Sequence, residues 1–131
     1  MEDLKKLFKD IKNILEKYSE GLSVKTEYID SQAKIKKPSY HLYGKKEVSV
    51  SNKKPQQTYI CGVIQQKNYV SFYLSVIYSH PELKEKINPE LVKFLKSKSC
   101  FNINKSFPSL LNNIDEILSI GINKYKVIEW I

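Results

Sequence analysis

Apolar residues recur every three or four positions near the start of the chain: Leu4, Leu7, Phe8, Ile11, Ile14, Leu15 and Tyr18. That spacing puts them on one face and predicts an amphipathic helix over residues 2–20. Glu2 and Asp3 suit the positive end of its dipole, and Gly21 suits a C-terminal cap. A second helical stripe closes the chain after Pro108, through Leu110, Leu111, Ile114, Ile117, Leu118, Ile122 and Tyr125. Gly121 lies on that stripe and allows close packing. Between the helices the period shortens to two. Thr58–Gln65 and Tyr69–Val76 are rich in β-branched and aromatic residues, and Gln66-Lys67-Asn68 separates them, which predicts a hairpin.

With Gln65 opposite Tyr69, one hairpin face gathers Ile60, Gly62, Ile64, Val70, Phe72, Leu74 and Val76 and is expected to meet the helices. The other gathers Tyr59, Cys61, Val63, Gln65, Tyr69, Ser71, Tyr73 and Ser75. Such a mixed face can line a ligand cleft or be the wetter side of an antiparallel sheet. Val24–Ile29 and Glu47–Ser51 read as further strands, the first with Lys25, Glu27 and Ile29 on one side. Lys36-Lys37-Pro38-Ser39 and Asn52-Lys53-Lys54-Pro55 read as turns or loops. His80-Pro81 and Asn88-Pro89-Glu90 open short helices, the latter with Asn as N-cap and Pro at the first helical position. Ser99–Asn104 reads as a last strand. These elements predict an α+β fold in one domain over 1–131: an antiparallel sheet with a central hairpin, packed against N- and C-terminal helices.

Composition narrows the class. Of the 131 residues, 41% are hydrophobic, and 9 Tyr and 5 Phe are spread along the chain, which argues against disorder. The start of the chain, Met1-Glu2-Asp3-Leu4-Lys5-Lys6, lacks an apolar leader pattern, and no apolar run is long enough to span a bilayer. A cytoplasmic protein that does not engage membranes is the expectation, with Cys61 and Cys100 as free thiols.

The formal net charge is +8, and all 22 basic residues are Lys. Residues 31–70 hold eight Lys against Glu47 alone, a net of +7. That stretch suits an anionic small molecule or an acidic protein, or reads as solvated loops. Without the planar fork of Arg, binding to nucleic acid is expected to be weak and nonspecific. Seven charges on a duplex would give a salt slope near about −6. The residues expected to hold an anionic ligand or acidic partner are Lys34, Lys36, Lys37, Lys45, Lys46, Lys53 and Lys54 for charge, with Tyr40, Tyr43, Tyr59 and Tyr73 for contact.

Metal and nucleophile chemistry find little support. Cys61, Cys100, His41 and His80 lack the close spacing of a zinc site. His41 falls in an expected loop, where it would be solvated, and His80 at a helix start. Lys98 and Ser99 could favour a Cys100 thiolate, although a structural thiol is the simpler reading. No nucleophile elbow, phosphate loop or dinucleotide fingerprint is present, so nothing argues for an enzyme. No catalytic residue, metal ligand or cofactor is assigned.

The stretches Val70-Ser71-Phe72, His80-Pro81-Glu82-Leu83 and Lys98-Ser99-Cys100-Phe101-Asn102 resemble the YdhG-like family, domain of unknown function 1801. The distinctive part covers residues 58–125, and Ser97 stands where a small residue, often Gly, is expected. The resemblance implies a compact α+β fold and a function generally uncharacterised. Some relatives are described as frataxin-like intracellular iron chaperones. That alternative role wants closely spaced carboxylates, near Asp10 and Glu16 here. The acids of the first helix instead alternate with Lys, and a net +8 repels cations.

Overall fold

Asp3 starts the first helix by accepting the amide of Lys6 at 3.1 Å. Helix α1 runs Leu4–Glu16 and buries Leu7, Ile11, Ile14 and Leu15. It ends earlier than the apolar stripe suggests, with Lys17 as cap. Gly21 serves in the following turn, where its φ of +78° is one that L side chains rarely adopt. The computed structural model describes residues 3–30, 35–49 and 54–131.

Five strands follow: β1 (Leu22–Asp30), β2 (Ile35–Val48), β3 (Gln56–Gln65), β4 (Val70–Leu74) and β5 (Cys100–Ile103). They form one antiparallel sheet in sequence order. Between β4 and β5 lie α2 (Val76–Ser79), a 3-10 helix (Pro81–Lys86) and α3 (Pro89–Val92), and α4 (Leu110–Val127) closes the fold. The architecture is α+β, as the sequence pattern predicts. Asn88 caps α3 as its Asn-Pro-Glu signature implies, accepting the amide of Glu90 at 2.9 Å.

Two sequence expectations fail in β2. The Lys36–Ser39 segment is extended and paired, because Pro38 sits opposite Glu27 beside a bulge in β2, where Ser39 and Tyr40 oppose Thr26 alone. A bulge relieves the demand for the proline's missing N–H. Glu47 and Val48 finish β2 and do not start a strand of their own. Val50 and Ser51 lie outside the described residues.

The hairpin register also differs from the expectation. Gln65 pairs with Val70, leaving a four-residue turn closed by the Gln66 amide on the Tyr69 carbonyl at 2.9 Å. A slip of one residue exchanges the faces of β3 relative to β4. Cys61 and Val63 therefore join Leu74 and Phe72 on the helix side, while Gly62 and Ile64 join Tyr73 and Ser71 on the other. Ile60 nevertheless reaches the core, because the β2–β3 pairing jumps from Leu42↔Cys61 to Tyr43↔Tyr59. That bulge inserts one residue and reverses the alternation, so Tyr59 and Gly62 share a face.

The core lies between the sheet and the helices. Leu42, Val63, Phe72, Leu74, Phe101 and Ile103 from the strands meet Leu15, Ile114 and Leu118 from the helices, all at 0% exposure. Gly121 permits the close approach of α4, since a Cβ there would stand 2.7 Å from Val76 Cγ1. Leu111, expected on the apolar face of α4, is 37% exposed, and Asn113 is buried in that helix with its amide on Ser109 Oγ at 3.2 Å.

Helix α1 is tied to α4 through Asp115, which accepts from Lys17 Nζ at 2.9 Å and from the Tyr18 hydroxyl. The Tyr18 hydrogen bond, then Lys17, hold the carboxyl of Asp115 below its usual range. Burial, then Asp115, pushes the Tyr18 phenol up to about 12. Helix α4 ends in a Schellman motif: Trp130 N–H bonds the Tyr125 carbonyl, and Glu129 N–H bonds that of Lys126. Glu129 occupies the left-handed position, φ 63°, that glycine usually fills. The Trp130 ring stacks on Tyr125 at 5.5 Å, and Ile131 covers Gly44.

Candidate ligand face on the open side of the sheet

The helices cover one side of the sheet. On the other side, register aligns one residue from each strand: Lys25, His41, Gly62, Tyr73 and Cys100. Tyr43 and Tyr59 pair in the row on one side of it, and Ile64, Ser71 and Asn102 in the row on the other. A polar and aromatic layer thus crosses all five strands, with His41, Ile64 and Ser71 buried in it and Tyr43, Tyr59, Tyr73, Cys100 and Asn102 half-buried.

Gly62 sets the shape of its centre. A Cβ at that position would collide with the Tyr59 hydroxyl and with His41 Nδ1. Without one, the phenol and the imidazole lean across the glycine and hydrogen-bond to each other at 2.9 Å. Tyr43 meets Tyr59 edge to face, centroids 5.1 Å apart, a favoured aromatic geometry. The Lys25 ammonium stands 4.4 Å from the centroid of Tyr43. Towards the hairpin turn, Lys37 Nζ donates to Gln66 Oε1 at 2.6 Å, and Gln66 Nε2 donates to Ser71 Oγ at 3.4 Å.

The middle of this face is electrically neutral. Burial lowers the pKa of His41, and the ring is only 8% exposed. Burial also raises the Tyr59 phenol far above its ordinary range. Cys100 donates to Asn102 Oδ1 at 3.4 Å, and burial outweighs its hydroxyl neighbours to raise the thiol. The thiolate that Lys98 and Ser99 could have favoured is therefore not stabilised. Cys61, in the core, is raised further still by burial. The centre holds hydroxyl, imidazole, amide and thiol groups, and among the described residues charge enters at Lys25 and Lys37.

The sequence-predicted residues are only partly brought together. Tyr43, Tyr59 and Tyr73 share the open face and are half-buried. Tyr40 is on the helix side, 6% exposed, with Lys12 Nζ 5.8 Å from its centroid. The lysines divide between the ends of β2. Lys36 and Lys37 lie near its start, with Lys67 in the adjoining hairpin turn, while Lys45 and Lys46 lie near its end, with Lys54 just before β3. Nine residues at about 3.3 Å each separate Lys37 from Lys46 by up to about 30 Å. Lys34 and Lys53 lie outside the described residues.

His41 is the main correction. It sits in the middle of β2, buried and bonded to Tyr59, instead of in a solvated loop. Lys25 was also missed as a contributor to the face. The alternation Ser39-Tyr40-His41-Leu42-Tyr43 carried the signal, but the lysines and proline before it read as a turn. His80 sits where the 3-10 helix begins, its Nδ1 2.8 Å from Ser79 Oγ and its ring edge-on to Trp130.

The carboxylates that iron handling would use are engaged: Asp10 by Lys6 at 2.8 Å and Glu16 by Lys12 at 3.7 Å. Among the described residues no three His, Cys, Asp or Glu side chains converge as a metal site would require. No helix among them is long and apolar enough to cross a membrane. Comparison with family models, curated proteins and solved structures finds no match to this chain.

Proposed function

We propose that this chain is a YdhG-like binding module whose open sheet face holds an anionic ligand. One observation carries the reading: the row from Lys25 through His41, Gly62 and Tyr73 to Cys100, flanked by Tyr43 and Tyr59. It joins aromatic contact groups to the Lys25 cation in one place, with Lys37 further along β2 towards the hairpin turn. The elevated phenol and thiols offer no activated nucleophile, which favours binding over covalent catalysis. The order of helix, antiparallel strands, Pro-Glu-Leu turn, Cys-Phe-Asn strand and closing helix supports the family reading.

The test uses isothermal titration with inorganic tripolyphosphate and two double variants. Lys25→Gln with Lys37→Gln is expected to weaken binding at least about tenfold, the loss of two charge-assisted contacts. Lys45→Gln with Lys46→Gln, at the far end of β2, should leave it nearly unchanged. The reverse pattern would place the anion site away from the aromatic face and remove this proposal.

A further inference from the structure

We infer that the anionic ligand of the open sheet face is single-stranded nucleic acid, with bases stacked on Tyr43 and Tyr73 and phosphates following the lysines at the rim. This inference rests on the binding-module reading above. It adds what the middle of the face implies. Free phosphate, or an acidic peptide, would be met best by cations at the centre of the site. Here the centre holds His41, Tyr59, Tyr73, Ser71 and Asn102, with no Lys, Asp or Glu in those positions, and Lys25 and Lys37 stand towards its margins. A ring-bearing centre with a cationic margin matches a ligand built the same way, aromatic bases joined by charged phosphates.

The geometry also selects single strands over duplex. Stacking requires a base whose face is free, which pairing in a helix denies. Gly62 lets His41 and Tyr59 lean across the sheet and hold each other between Tyr43 and Tyr73. Five strands at about 4.8 Å spacing make the row about 19 Å wide. That is comparable to the sheet faces that stack two or three bases in known RNA-binding folds. With no Arg in the chain, affinity should come from stacking and charge, with little sequence preference.

Fluorescence anisotropy with a labelled twelve-residue oligothymidylate tests this, beside a duplex of equal length and inorganic tripolyphosphate as a competitor. The single strand should bind more tightly than the duplex. Tyr43→Ala and Tyr73→Ala should each weaken it about 10- to 100-fold. Tyr43→Phe should retain binding, which separates stacking from loss of fold. If Lys25 and Lys37 each neutralise one phosphate, log K should fall against log salt with a slope of about −1.4. Should Tyr43→Ala fail to fold, Lys25→Gln leaves the rings in place and should still weaken binding about threefold and flatten the slope. If tripolyphosphate binds at Lys25 and Lys37 but the single strand binds no better than the duplex, the nucleic-acid inference falls and the anion site stands. If neither probe binds, both fall.

Discussion

Phe72 and Tyr73 are neighbours on β4, yet they belong to different chemistries. Phe72 faces the helices, is fully buried and stacks on Phe101 with centroids 5.6 Å apart. Tyr73 faces the other way, half-buried, in a row with His41, Gly62 and Cys100. The helix side is dry and closed by α1 and α4, and its residues serve stability. The open side carries hydroxyls, rings and a lysine margin, with fewer apolar contacts to lose. A sheet of this kind uses one face as scaffold and leaves the other for recognition.

That contrast can be broken by measurement. The largest effect is expected from Phe72→Ala, which should cost about 3–5 kcal/mol in urea unfolding, as buried aromatic truncations do. Tyr73→Ala should cost about 1–2 kcal/mol, because part of the ring is already in water. Equal losses would mean that the two faces are equally structural.

Gly62→Ala comes next, at about 1–3 kcal/mol, the usual range for forcing atoms into a filled site. The added methyl must displace the His41–Tyr59 pair, so the variant should also change tyrosine fluorescence. A silent Gly62→Ala would show that the rings do not lean on that glycine.

The third test is pH. Burial holds the pKa of His41 below its ordinary value of 6.5. Between those two values the unfolded chain binds the proton more readily, so stability rises with pH across that window. It is fully present above about 6.5 and is lost as the pH falls towards the folded value. Urea midpoints at pH 7.5 and 5.5 should therefore differ more for the natural chain than for His41→Gln. An identical pH response would remove His41 from the buried centre.

The smallest change concerns the scaffold side alone. Glu129→Gly relieves the left-handed strain at the end of α4 and should stabilise the fold by about 0.5 kcal/mol, after the added freedom of the unfolded chain is subtracted. It should leave oligonucleotide binding unchanged, since α4 packs on the helix side of the sheet, with Gly121 against Val76 and Leu74.

The helices were legible because a period of three to four residues survives whatever packs against it. Asn88-Pro89 announced α3 through local capping chemistry alone. The hairpin was legible from composition, but its faces were not. Ile60, Cys61, Val63 and Ile64 put apolar side chains on both parities of β3, so alternation could not say which set faces the helices. Pro38 looked like a turn because the bulge beside it, with Ser39 and Tyr40 set against Thr26 alone, exists only once β1 is paired. Three of the four proposed contact tyrosines landed on one face. The lysines did not gather, because a long strand carries its two ends apart.

The sequence by itself determined the helices, the hairpin strands and β5, though not β2, and also that the chain is basic and that α1 and α4 each bury one stripe. These are local properties, set by side-chain spacing, capping and composition. The tertiary structure alone decided register. The four-residue turn and the bulge after Tyr59 chose the face of every β3 side chain. They brought His41, Gly62 and Tyr73 into one row with Lys25 at its edge. With a side-chain period of two, a shift of one residue reverses in from out, and only the packed partners settle which reversal has the lower free energy.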